Sequence, residues 1–181
     1  KSFGCDEVAT GIGRTGVVGV IRGKRGKSAH TIGLRADMDA LPINEATGLP
    51  YQSTVPGKMH ACGHDGHTAM LLGAAAALSR RRNLHGAVYF IFQPAEENEG
   101  GARVMIEDGL FERFPMAEVF GMHNMPGMEV GEMAVRPGPF MAAFDIFEIK
   151  LVGHGTHAAA PHLGKDAIVA GATLVTALQT I

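Results

Sequence analysis

Residues 59–70 read MHACGHDGHTAM, and this stretch restricts the chain more tightly than any other. His60, Cys62, His64, Asp65 and His67 bring a thiol, three imidazoles and a carboxylate together, while Ala61, Gly63 and Gly66 leave the backbone uncrowded. A run suited to a helix follows at 67–82, so ligand-type side chains gather at a loop-to-helix junction. In extended backbone, residues two apart point the same way, so Cys62 and His64 are expected to reach one metal cluster. Asp65 as a helix cap would explain part of the pattern. It would not explain why Cys62 and His64 accompany it.

The bulk properties narrow the classes. A formal net charge of −2, with no Lys/Arg stripe interleaved with aromatics, argues against a nucleic-acid partner. Arginines 80–82 sit at a helix end, where they suit the helix dipole. No apolar stretch approaches the ~18 residues that a membrane span needs. Cys5 and Cys62 make no disulfide framework. A thiol among histidines is useful when reduced, so a cytoplasmic setting is expected.

Along the chain, 11–16 spells G-x-G-x-x-G, but the next residues are strand-like rather than helical. The glycines therefore read as turn residues, not a dinucleotide fingerprint. Residues 23–27 read as a hairpin turn, and 29–34 as a strand running into Asp37 and Asp39. Residues 44–58 read as a loop. In the helix after the motif, Met70, Leu71, Ala74 and Leu78 mark the expected apolar face. AVYFIF at 87–92 suits a strand buried on both faces, and it delivers Glu96 and Glu97 at its carboxyl end. Residues 101–108 read as a short helix stopped by Gly109. A strand at 117–122 ends in His123. Residues 131–135 read as a short strand. Phe147, Ile149 and Leu151 alternate with polar residues, as in a half-exposed antiparallel strand. An apolar helix is expected over 166–181. A domain boundary near residue 140 leaves one strand and one helix beyond it, too little to bury its own faces. The sequence thus reads as a fragment cut at both ends.

Ligand types follow successive strands: Asp37/Asp39, Cys62/His64, Glu96/Glu97 and His123. Thiolate, imidazole and carboxylate together suit zinc and tolerate manganese, cobalt or nickel. No H-E-x-x-H, C-x-x-C or G-x-S-x-G is present, which argues against a single-zinc helix site, a zinc ribbon and a serine hydrolase. Of two adjacent glutamates, one can bind metal while its neighbour faces a water.

MHACGHDGHTAMLLGAA, FQPAEENEGGA, FGMHN and GHGTHAAAPH, in this order, resemble the amidohydrolase branch of the two-metal aminoacylase/carboxypeptidase superfamily. Its members include hippurate hydrolase and the N-acyl-amino-acid amidohydrolases. The resemblance implies an α/β fold: a zinc-exopeptidase-like catalytic domain with a central, mostly parallel sheet over 1–140. It also implies the start of an inserted α+β ferredoxin-like lid or dimerisation domain over 141–181. It makes Cys62, His64, Glu97 and His123 ligands of two divalent ions (Zn, Mn, Co or Ni). Glu96 becomes the general base and then acid, and Asp39 a supporting group near the metals. His157 becomes an oxyanion-steadying residue that reaches a neighbouring subunit of a homodimer or homotetramer. The implied reaction cleaves a small N-acyl amino acid into a carboxylic acid and a free amino acid. A metallo-dipeptidase or carboxypeptidase on the same scaffold, or a non-catalytic metal-binding module, is the alternative. Two departures stand out: Thr156 replaces a usual Gly, and the last family ligand, a His, has no counterpart in these residues.

Overall fold

Strand-forming segments rich in Val, Ile and Phe build a five-stranded sheet in the computed structural model, which describes residues 2–25, 28, 30–97 and 99–181. The chain divides into two compact units, Lys1–Glu129 and Val130–Ile181. In the first, β1 (Glu7–Ile12) and β2 (Gly16–Arg22) form an antiparallel hairpin. The turn between them uses left-handed backbone at Gly13 and Arg14, while Gly11, also left-handed, sits at an irregularity within β1. β1 itself is an addition to the expected strands.

β3 (Thr31–Asp37), β4 (Ala87–Gln93) and β5 (Glu118–Gly121) complete the order β1-β2-β4-β3-β5. β2 and β4 run antiparallel, whereas β3 is parallel to both β4 and β5. The sheet is therefore mixed yet mostly parallel in direction: β1, β3, β4 and β5 point one way and β2 runs against them. The hairpin expected between β2 and β3 is not formed, because β4 lies between them. Residues 23–25 instead hydrogen-bond through their backbone N–H groups to the carbonyls of Gly86, Arg82 and Leu84. Residues 26, 27 and 29 of the expected turn and strand lie outside the described residues.

β4 explains the two-sided core. Val88, Phe90 and Phe92 pack with Leu71 and Ala75 of the long helix α1 (His64–Arg81) on one face. Ile91 packs on the other face with Met105 of α2 (Gly101–Glu107), Leu110 of α3 (Leu110–Arg113) and Phe114. Burying apolar side chains on both faces is what a continuous apolar strand requires. Along α1 the buried stripe is His64, His67, Leu71 and Ala75; Met70, expected to face inward, is exposed. Gly109 does take left-handed backbone (φ 85°) after α2, and it opens α3 as well.

The second unit contains a 3-10 turn at Pro161–Leu163 and α4 (Ala167–Leu178). Asp166 caps α4, its Oδ1 accepting from the N–H groups of Ile168 (2.8 Å) and Val169 (3.1 Å). The strands expected at 131–135 and 147–151 do not form. Alternation suits a pleat, but a strand exists only with a partner, and 147–151 has no ladder among the described residues.

Candidate metal centre

β3, β4 and β5 are parallel, so their carboxyl ends share one edge of the sheet, where open α/β sheets hold ligands. Asp37 and Asp39 lie at and just beyond the end of β3. Glu96 and Glu97 follow β4, and His123 follows β5. Cys62 and His64 arrive from the start of α1. The two are not carried on extended backbone as expected. Gly63 is left-handed (φ 86°) and caps the helix that His64 begins. Asp65 makes no cap bond; it lies in the first turn, and no side chain caps this helix. Ala95, a non-glycine at φ 52°, bends the loop just ahead of Glu96.

Cys62, His64 and His123 offer ligand atoms within 4.8 Å of one another, and so do His64, Glu96 and Glu97. His64 joins the two sets. Its Nδ1 donates to the Asp39 carbonyl at 3.0 Å; a carbonyl only accepts, so in the neutral ring Nε2 carries the lone pair. That lone pair faces Asp37 Oδ2 at 3.6 Å, Glu97 Oε1 at 3.7 Å and Glu96 Oε2 at 3.8 Å. Lone pairs and carboxylates crowd each other unless a cation lies among them. Asp39 Oδ1, His64 Nε2 and Glu97 Oε1 are buried with no hydrogen-bond partner among the described residues. Such orphaned acceptors are rare unless an ion or water serves them. The donor set therefore fits a divalent metal.

Asp39 holds two of these groups. Besides taking the His64 hydrogen, its Oδ2 accepts from the Glu97 N–H at 3.1 Å. Burial works to raise its carboxyl, but the N–H groups of Glu97, Glu96 and Asp39 itself and the charge of His64 together leave it below the usual range. His123 donates from Nδ1 to the Asn124 carbonyl at 2.6 Å, which leaves Nε2 facing Cys62 Sγ at 3.4 Å. Burial, then the hydrogen bond and charge of Glu97 and the charges of Glu96 and Asp37, push the Cys62 thiol up to about 11. Glu96 is the most open of the group, its side chain 41% exposed, so it can reach a solvent molecule. Beside Asp39 and Glu97 opens a cleft of about 570 Å³, also lined by Met38, Ala40, Lys58 and Pro94.

Cys62, His64, Glu96, Glu97, His123 and Asp39 thus come together. His157 lies in the second unit, exposed, with its Nδ1 accepting from the Ala159 N–H at 3.1 Å. The sequence reading gave no role to His67, which is 3% exposed, or to its partner Asn124. The available signal was spacing, since His67 stands three residues from His64 on the stripe that turns inward.

A family model described as peptidase family M20/M25/M40 matches residues 33–179. The chain is 52% identical over 181 residues to a hippurate hydrolase of Campylobacter jejuni, covering 100% of this chain and 46% of that protein. It is 47% identical over 169 residues to an N-acetylcysteine deacetylase of Bacillus subtilis, covering 93% and 43%. A solved structure, the YXEP protein of Bacillus subtilis, described as a dinuclear metal binding peptidase of the M20 family, aligns with TM-score 0.68 and 47% identity. That alignment covers 74% of this chain and 36% of the other. The chain spans less than half the length of these relatives.

Proposed function

The chain belongs to peptidase family M20/M25/M40, and from that premise we propose that its protein is a metal-dependent hydrolase cleaving the amide bond of N-acyl amino acids. Hippurate-like and N-acetylated substrates are the class, with a carboxylic acid and a free amino acid as products. One observation carries the reading: the His64 lone pair faces carboxylates of Asp37, Glu96 and Glu97 at 3.6–3.8 Å across a gap that suits a cation.

Cys62, His64, Glu97 and His123 would hold two divalent ions, zinc, manganese, cobalt or nickel. When bound, the ions supply positive charge that polarises the amide carbonyl and acidifies a water. Asp39 orients His64 and the backbone of Glu97. Glu96 takes the proton of the attacking water and then passes it to the leaving amine. The cleft beside Asp39 and Glu97 receives substrate. On the family resemblance, 1–140 forms part of the catalytic domain and 141–181 opens a lid domain. His157 of that domain would steady the carbonyl oxygen in a neighbouring subunit of a homodimer or homotetramer. A cytoplasmic location belongs to the same reading. Among the described residues no helix is long and apolar enough to cross a membrane.

The test is Glu96→Gln in the full-length protein, assayed on hippurate and acetylated amino acids beside simple dipeptides. Turnover is expected to fall by at least about 10²–10⁴-fold with metal content unchanged. Retained activity removes Glu96 from the role, and faster cleavage of dipeptides moves the substrate class to a peptidase.

A further inference from the structure

We propose that Asp37 and His67 are positioning residues that hold Asn124, and through it His123, in the pose that closes the Cys62/His123 half of the metal centre. The inference rests on reading Cys62 and His123 as ligands.

The hydrogen bonds fix the direction of the chain of contacts. The Asn124 backbone N–H donates to His67 Nε2 at 3.1 Å, and a backbone N–H can only donate. Nε2 is therefore the acceptor, and Nδ1–H donates to Asp37 Oδ1 at 2.6 Å. Asn124 Oδ1 also touches Nε2; since Nε2 accepts from the backbone N–H, the amide must turn over to present its NH₂ there. Asp37 is anchored in turn: its Oδ2 accepts from Arg35 Nη1 at 2.8 Å, and Arg35 Nε donates to Gln93 at 2.7 Å. Thr68 Oγ donates to the Asp37 carbonyl at 3.0 Å.

The far end of the chain reaches the centre. The Asn124 carbonyl takes the His123 Nδ1 hydrogen and so aims Nε2 at Cys62. The rings of His67 and His123 stand edge to face, with centroids 4.5 Å apart. Asn124 also packs on the turn that carries Cys62, since a side chain at Gly63 would collide with it. Asp37, His64 and His67 themselves offer atoms within 4.8 Å of one another. Both ring nitrogens of His67 are already engaged, so His67 has no lone pair left for an ion. Its role is to place the groups that do. Hydrogen-bond partners behind metal ligands typically carry 10–100-fold in affinity.

The experiment compares His67→Phe, which fills the space without a donor or acceptor, with His67→Gln, whose amide offers both. Cobalt(II) binding to the full-length protein is titrated calorimetrically, and the thiolate-to-cobalt band from Cys62 is recorded. Melting of the metal-free variants is measured alongside. We expect His67→Phe to weaken one cobalt site by about 10–100-fold and diminish the thiolate band, while His67→Gln stays within about threefold of the parent. A folded His67→Phe with parental affinity and band overturns the proposal, as does a His67→Gln weakened more than about tenfold. If His67→Phe does not fold, His67→Gln alone decides by the same limits. If the parent protein shows no thiolate band, the ligand reading of Cys62 fails first and takes this inference with it.

Discussion

Cys62 is set against its neighbours until a cation joins them. Its thiol is held up to about 11 by burial and by Glu97, Glu96 and Asp37, yet a metal ligand must be the thiolate. Binding therefore releases a proton, and raising the pH favours the loaded form. Apparent metal affinity is expected to climb at least about tenfold per pH unit between about pH 7 and 9, read by competition titration. Cys62→Ala is expected to lose metal and to flatten that slope; full occupancy in the variant contradicts the assignment. Asp37 works in the opposite direction. Burial raises its carboxyl, but the His67 hydrogen bond and the charges of Arg35, His64 and His67 leave it below the usual range. A lowered folded value adds stability above the ordinary carboxylate pKa of about 3.9, and that stability is lost as pH falls through the folded value. Asp37→Asn should therefore blunt the acid limb of a melting-temperature profile. Cys62 and His64 stand out in the sequence because unlike ligand chemistries crowd one short stretch, whereas Glu97 and His123 were singled out as ligands by the family resemblance. His67 was not, because its partners Asp37 and Asn124 lie 30 and 57 residues away.

Helix α1 shows where element-level reading succeeds and where it stops. Its length and thin alanine face were visible, but its start was placed at His67, three residues late. Gly63 decides the start, because its left-handed backbone lets the chain turn directly into His64. Gly63→Ala is expected to cost about 1–2 kcal/mol from backbone strain alone, more once Asn124 is displaced, and to weaken metal binding. Thermal melting with a cobalt titration checks both effects. In α4, Asp166→Ala should lower stability by about 1 kcal/mol through loss of the cap. The segments 131–135 and 147–151 mark the limit of periodicity. Alternation reports which face a residue would take, while pairing depends on a neighbour that the local sequence does not encode.

At the scale of the whole molecule, the mixed sheet sorts structure from chemistry. The antiparallel edge, β1 and β2, contributes core residues, while the parallel half, β3 to β5, sends every candidate ligand loop to one rim. An AVYFIF run could be assigned to a buried strand from sequence, but not to a place between one antiparallel and one parallel neighbour. Cys62 and His123 stand 61 residues apart along the chain, and His123 follows β5, which among the described residues pairs with β3 alone. During folding, an early-arriving ion meets only half a clasp until that outermost strand docks. Cobalt is expected to leave the refolding rate nearly unchanged and to slow unfolding, a split that stopped-flow traces resolve. The centre then acts as a latch thrown late, which prolongs the native state's lifetime rather than hastening its arrival.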